Sequence, residues 1–196
     1  MRYLPAIGAV LALAAPAAVQ AQADPVATVQ TLDAGLLATM KGGKAAGQRG
    51  RAAAIGPVID RTFDLPLMTR LAVGTPWNGF AVADQQALVA AFRRLTIAQY
   101  AANFDSFSGQ TFTISPQLEQ RAGDRLVRTT LAGKGSSEPI AYRLRQSANG
   151  WRIIDVIYRS ISQLATRRSD FASALQSGGA KGLVRRLDEL TAKASS

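Results

Sequence analysis

The apolar residues of this chain change period twice, and that change limits the fold more than any other feature. Up to about Asn103 they recur at helical spacing. Val26, Val29, Leu32, Leu36, Leu37 and Met40 mark one stripe, and Leu88, Ala91, Phe92, Leu95, Ala98 and Ala102 mark another. Intervals of three and four residues put such groups on one face of an α-helix. Asp84 stands where the cap of the second of these helices, the longest, is expected. After Gly109 the period is two. Phe112 and Ile114, then Val127, Thr129 and Leu131, then Ile140, Tyr142 and Leu144, alternate with polar residues, as strands with one buried face do. Trp151 to Tyr158 is apolar on both faces and predicts a central strand. From about Ile161 helical spacing returns, broken at Gly178-Gly179. Turn residues at Ala122-Gly123-Asp124, Gly133 to Ser137 and Asn149-Gly150 join the strands tightly, which requires antiparallel neighbours. The chain therefore predicts an α+β domain, with helices packed on one face of a curved four-stranded antiparallel sheet.

The first residues follow neither period. Met1 and Arg2 form a short positive region, and Leu4 to Val19 is almost wholly Leu, Ala, Ile, Val, Gly and Pro. Small residues suited to cleavage follow at Val19-Gln20-Ala21 and Ala21-Gln22-Ala23. This pattern predicts a cleaved signal peptide over 1–23 and a single domain over 24–196, working in the periplasm. A membrane anchor needs about 20 apolar residues, and here Pro5, Pro16, Gln20 and Gln22 interrupt the stretch. Export changes the meaning of the charge. The chain carries 23 Lys and Arg against 13 Asp and Glu, a net +10, which in another compartment would point to nucleic acid. In the envelope the same charge fits anionic lipid surfaces or acidic partners, or simply a solvated basic surface. Nucleic acid is not expected as a partner.

The chain contains no Cys and no His. Disulfides, thiolate or imidazole metal sites, Cys nucleophiles and His-based triads are therefore excluded. No phosphate-binding loop, nucleophile elbow or metalloprotease motif is present, and the carboxylates are scattered. No catalytic residue, metal or cofactor is predicted. Asp155, placed mid-strand between Ile153 and Ile157 on the face of Trp151, is the one candidate general base, with Tyr142 or Tyr158 as its partner. Its structural alternative is pairing with an arginine or capping a helix. Arg168 interrupts an apolar stripe on the last helix, so Asp155 and Arg168 are candidates for a buried pair.

The stretch Trp151-Arg152-Ile153-Ile154-Asp155-Val156, followed by Ser162 and by Arg168-Ser169-Asp170-Phe171, resembles the MlaC family, also called the toluene-tolerance auxiliary family. Upstream, Phe63-Asp64, Gly74 with Trp77, Phe92 and Tyr100 stand in the family's order. The resemblance runs from about residue 26 to 190. Two positions depart from it: Arg167 stands where a Tyr is usual and Ser160 where a Gly is usual. The form Ser162-Gln163-Leu164-Ala165-Thr166-Arg167-Arg168 is closer to the hopanoid-associated branch, HpnM. The resemblance implies a lipid carrier rather than an enzyme, holding phospholipid or hopanoid in an apolar pocket between sheet and helices. It implies transfer between an outer-membrane lipoprotein complex and an inner-membrane ABC transporter complex, with only transient membrane contact, in support of outer-membrane lipid asymmetry. Strand parity would then line the pocket with Val127, Leu131, Ile140, Tyr142 and Leu144. Facing helices would supply Leu71, Leu88, Phe92, Leu95 and Leu164, with Trp77 beneath the entrance. For any one of them ordinary core packing is the default reading, and the prediction is their collective face. Arg128, Arg143, Arg145, Arg152, Arg185 and Arg186 point outward, as a docking face or a solvated one. Two other readings stay open: a small cone-shaped enzyme centred on Asp155, resembling ketosteroid isomerases, and an envelope scaffold that encloses nothing.

Overall fold

The computed structural model describes residues 24–196, and the leader read in 1–23 lies outside them. Four helices come first: α1 (Pro25–Gly42), α2 (Gly47–Thr62), α3 (Leu65–Val73) and α4 (Val82–Asn103). Six strands follow: β1 (Thr111–Ile114), β2 (Glu119–Arg121), β3 (Asp124–Gly133), β4 (Ser136–Ser147), β5 (Gly150–Tyr158) and β6 (Ile161–Ser162). The chain closes with α5 (Gln163–Ser195).

Local chemistry explains most boundaries. Asp24 caps α1 by accepting from the Val26 amide at 3.0 Å, ahead of Pro25 in the first turn. Asp64 does the same for α3, accepting from the Leu67 amide at 3.0 Å. The expected cap of α4 is misplaced. Extended Ala81 precedes the helix and Asp84 lies inside its first turn, where a carboxylate still favours the exposed amides and the helix dipole. The predicted break in the last helix falls at Gly179, whose φ of 55° interrupts α5. Arg51 lies inside α2. Its buried guanidinium ties that helix to the end of α4 by donating to the Ala101 carbonyl at 2.7 Å, and to the end of α1 through the Gly43 carbonyl at 2.9 Å.

The sheet is antiparallel throughout, in the order β1-β3-β4-β5-β6, with β2 also pairing with β3. It has six strands rather than the four predicted. The two additional strands hold three and two residues, too few to show an alternation. One of them corrects the start of the last helix. Ile161, expected on α5, is in β6, after a tight turn in which Arg159 and Ser160 have φ of 49° and 64°. Ser162 then caps α5, accepting from the Ala165 amide at 3.0 Å.

A bulge sets the curvature and the parity of the central strand. Arg143 opposes Asp155 but Leu144 opposes Ile153, leaving Ile154 unmatched. Such an extra residue bends the strand, and it exchanges the faces beyond it. Ile153 faces inward with Leu144, whereas Val156 and Tyr158 face inward with Tyr142 and Ile140. Strict alternation through Asp155 therefore fails. The main core sits where α1, α2, α4 and α5 meet the closed end of the sheet, with Leu32, Leu36, Ile55, Ile59, Leu183 and Leu187 fully buried. On the outer face, Asp124 is buried beneath Arg143 and Arg145. Arg143 Nε donates to it at 2.6 Å and Arg145 Nε at 2.7 Å. Burial alone would raise this carboxyl, but the hydrogen bonds from Arg145 and Arg143 outweigh it and hold the group below the usual range.

Candidate functional site

At the other end of the sheet the layers separate around a cavity of about 730 Å³. Its deep wall is apolar. Met40 from α1, Phe63 from the α2–α3 link, Met68 from α3 and Phe92 from α4 face Ile140, Tyr142 and Val156 of the sheet. Aromatic rings stiffen this wall. Phe63 meets Tyr100 edge-on at 5.7 Å between centroids, and Tyr100 stacks on Phe104 at 5.7 Å. Nearer the rim the lining becomes polar: Gln99 and Asn103 from the last turns of α4, Gln110, Ser136, Gln163 and Arg167. Phe92, Thr96, Gln99, Tyr100 and Asn103 share one face of α4 by their spacing, so a single helix runs from the oily depth to the wet edge.

Glu138 also lines the rim but is neutralised. It accepts from Arg159 at 2.8 and 3.1 Å and from the Tyr158 hydroxyl at 3.0 Å. Arg159, then Tyr158, hold its carboxyl below the ordinary value. Arg167 is different. Its side chain is only 21% exposed, it donates to Gln99, and among the described residues its sole carboxylate partner is Asp170 at 3.8 Å. Burial lowers its proton affinity below that of a free arginine, and Asp170 only partly offsets this.

Of the residues expected in the pocket, the structure brings Phe92, Leu131, Ile140, Tyr142 and Leu164 to the cavity. The other six lie elsewhere. Leu88, Leu95, Val127 and Leu144 are completely buried in the core, because face and parity were right but distance along the element was not. Leu71 and Trp77 are half-buried outside the lining. Val156 and Tyr158 were hidden by the bulge, and the sequence gives no sign of it. Tyr100 and Phe63 were visible only as members of the ordered set that carried the resemblance. Arg167 was visible only as a departure from it.

The candidate pair Asp155–Arg168 does not form. Asp155 is buried and accepts from the Ser162 hydroxyl at 2.6 Å and the Leu164 amide at 2.9 Å. It fastens the start of α5 to β5 and does not line the cavity. Arg168 is exposed, its guanidinium lying against Gly74, where an added Cβ would come within 3.3 Å of it. A third acid is placed as neither had been expected. Asp33 on α1 is buried, both its carboxyl oxygens lack a hydrogen-bond partner among the described residues, and burial pushes it up to about 7. Its charge reaches the phenols of Tyr100 and Tyr142, which burial already raises above their usual values.

Most of the arginines expected on the outer face are matched by acids. Besides the Asp124 pairs, Arg128 meets Glu119 at 2.8 Å and Arg186 meets Glu189 at 3.2 Å. Arg152 and Arg185 form no ion pair among the described residues. Among the same residues no cluster of three carboxylates could hold a metal ion, and no helix is long and apolar enough to cross a membrane. A walled apolar depth with polar groups at its edge suits a molecule with an oily body and a polar end.

Residues 30–189 match the family model described as MlaC protein. The fold is also similar to a solved phospholipid-binding protein from Ralstonia solanacearum, determined in complex with a phospholipid at 1.53 Å. That match has a TM-score of 0.78 at 29% identity and covers 89% of this chain and 100% of the other.

Proposed function

This chain belongs to the MlaC protein family, and from that premise we propose that it is a non-catalytic lipid carrier whose cargo is phospholipid, held with its acyl chains in the cavity. The observation that carries the reading is the cavity itself: about 730 Å³, apolar in its depth, in a fold shared with a protein that was solved holding a phospholipid. At about 30 Å³ for each water-sized group, the space takes roughly two dozen of them. That amounts to between one and two acyl chains of about 16 carbons.

Energetics require nothing catalytic. Each buried methylene is worth about 0.8 kcal/mol against water, so one such chain gains about 13 kcal/mol. A bilayer offers nearly the same, so loading and unloading are close to balanced, and partners of modest affinity can set the direction. The leader pattern in 1–23 supports work in the periplasm. Exchange with an outer-membrane lipoprotein complex and an inner-membrane ABC transporter complex extends the same proposal. The placement of Asp155 as a helix fastening argues against the enzyme reading.

The test is transfer between vesicles. Mature protein is incubated with phosphatidylglycerol vesicles carrying a labelled lipid, separated by flotation, and offered to unlabelled acceptors. The proposal expects label to travel with the protein in near-stoichiometric amount and then enter the acceptors. Protein recovered below the vesicles without label at every lipid concentration contradicts it. A hopanoid offered in the same way shows whether polycyclic cargo is also accepted.

A further inference from the structure

We propose that Arg167, aimed by Gln99, is a phosphate-recognition site at the rim of the cavity, so that the protein selects amphiphiles bearing a phosphodiester beside their acyl chains over neutral ones of the same tail. The inference rests on the carrier reading and adds a specificity-determining residue to it.

Arg167 lies on α5 one turn beyond Gln163 and Leu164, all three lining the cavity. Guanidinium carries five N–H donors in a planar fork. Here one of its terminal nitrogens donates to Gln99 Oε1, and no other hydrogen bond of this side chain is formed among the described residues. Asp170, at 3.8 Å and half-exposed, is too far for a hydrogen bond and is screened by water, so it holds the arginine weakly. A half-buried arginine with spare donors is an unusual wall for an oily cavity, since its charge gains little from acyl chains. A phosphodiester oxygen pair would complete it, because the fork matches phosphate geometry and charge-assisted bonds strengthen away from water. The other charged group at the rim does not compete. Glu138 is already satisfied by Arg159 and Tyr158, so an arriving anion meets no free carboxylate there. Asn103 and Gln110, also at the rim, can serve the remaining polar atoms of a headgroup.

Wild-type protein is offered phosphatidylglycerol and diacylglycerol with identical acyl chains in equal amounts, and the bound species are counted by native mass spectrometry. The expected wild-type ratio favours phosphatidylglycerol. Arg167→Gln lowers that ratio about tenfold or more, the worth of one charge-assisted hydrogen bond, with diacylglycerol loading retained. Arg167→Lys, which keeps the charge and loses the fork, gives an intermediate ratio. Gln99→Leu, which leaves the charge but frees its aim, also lowers the ratio. An Arg167→Gln ratio equal to wild type overturns the inference. So does folded Arg167→Gln protein that loads neither lipid, since Arg167 would then be only a wall. Inorganic phosphate added with diacylglycerol separates the two sources of this chemistry, and its co-loading would assign the site to a free anion and overturn the headgroup role. Wild-type protein that takes up neither lipid strikes the carrier reading itself, a result distinct from every variant outcome.

Discussion

Filling the cavity from its sheet side should abolish loading without unfolding the protein. Val156 is the best position. It faces the cavity beside Tyr142, on the strand whose parity the bulge exchanges. Val156→Trp adds about seven non-hydrogen atoms, displacing roughly five to seven methylene-sized groups of cargo. At about 0.8 kcal/mol each, the lost transfer energy is about 4–6 kcal/mol. Even if half of the displaced chain re-seats toward the open rim, about 2–3 kcal/mol remains, which is a loss of about 30- to 150-fold in partition from a bilayer. Stability should change little. Tryptophan suits a strand and its ring enters space that no side chain fills, whereas true overpacking costs about 1–3 kcal/mol. The assay is lipid bound per protein after equilibration with vesicles over a range of lipid concentrations, alongside thermal unfolding. Folded Val156→Trp protein that loads like wild type would refute the assignment of cargo to this cavity.

Further predictions concern the acids and one turn. Asp33 titrates at about 7 in the folded protein against about 3.9 unfolded. Its folded value is raised, so the native state binds the extra proton and stability falls as pH rises from about 4 through 7. Asp33→Asn should therefore stabilise the protein at pH 8, by an amount on the order of 2–4 kcal/mol, and by little at pH 4; equal shifts in chemical denaturation at both pH values would sink this. Asp155→Ala should cost about 2 kcal/mol by unpairing the Ser162 hydroxyl and the Leu164 amide, with lipid loading preserved in the folded fraction. Loss of loading in fully folded Asp155→Ala protein would show that its role is not confined to fastening α5. Ser160→Gly should raise stability by up to about 1 kcal/mol by relieving the left-handed turn at φ 64°, read as a higher midpoint in urea; an unchanged or lower midpoint contradicts it.

How far the sequence could lead follows from what periodicity encodes. The change of period at Gly109 located the sheet, and alternation in β4 correctly put Ile140, Tyr142 and Leu144 on one inner face. Position along that face was not encoded. Leu144, two residues beyond Tyr142, falls in the closed core, because cavity and core present the same apolar chemistry. The bulge at Ile154 was invisible for a different reason. A single unmatched residue in an apolar run leaves no polar mark, so Asp155 was read on the wrong face and Val156 and Tyr158 were missed. The failure of the Asp155–Arg168 pair follows from the same shift together with β6, whose two residues turn Ser162 and the Leu164 amide toward Asp155 first. Asp33 could not be singled out at all, since an acid inside a helical stripe ordinarily marks an exposed position, and its burial depends on how α1 meets the sheet.

Native mass spectrometry of the protein, purified gently from cells, tests the central claim most directly. The account predicts a mass above that of the chain by one phospholipid, released as intact lipid on solvent extraction and absent from Val156→Trp. Wild-type protein found at the mass of the bare chain, both as purified and after incubation with phospholipid vesicles, would contradict it.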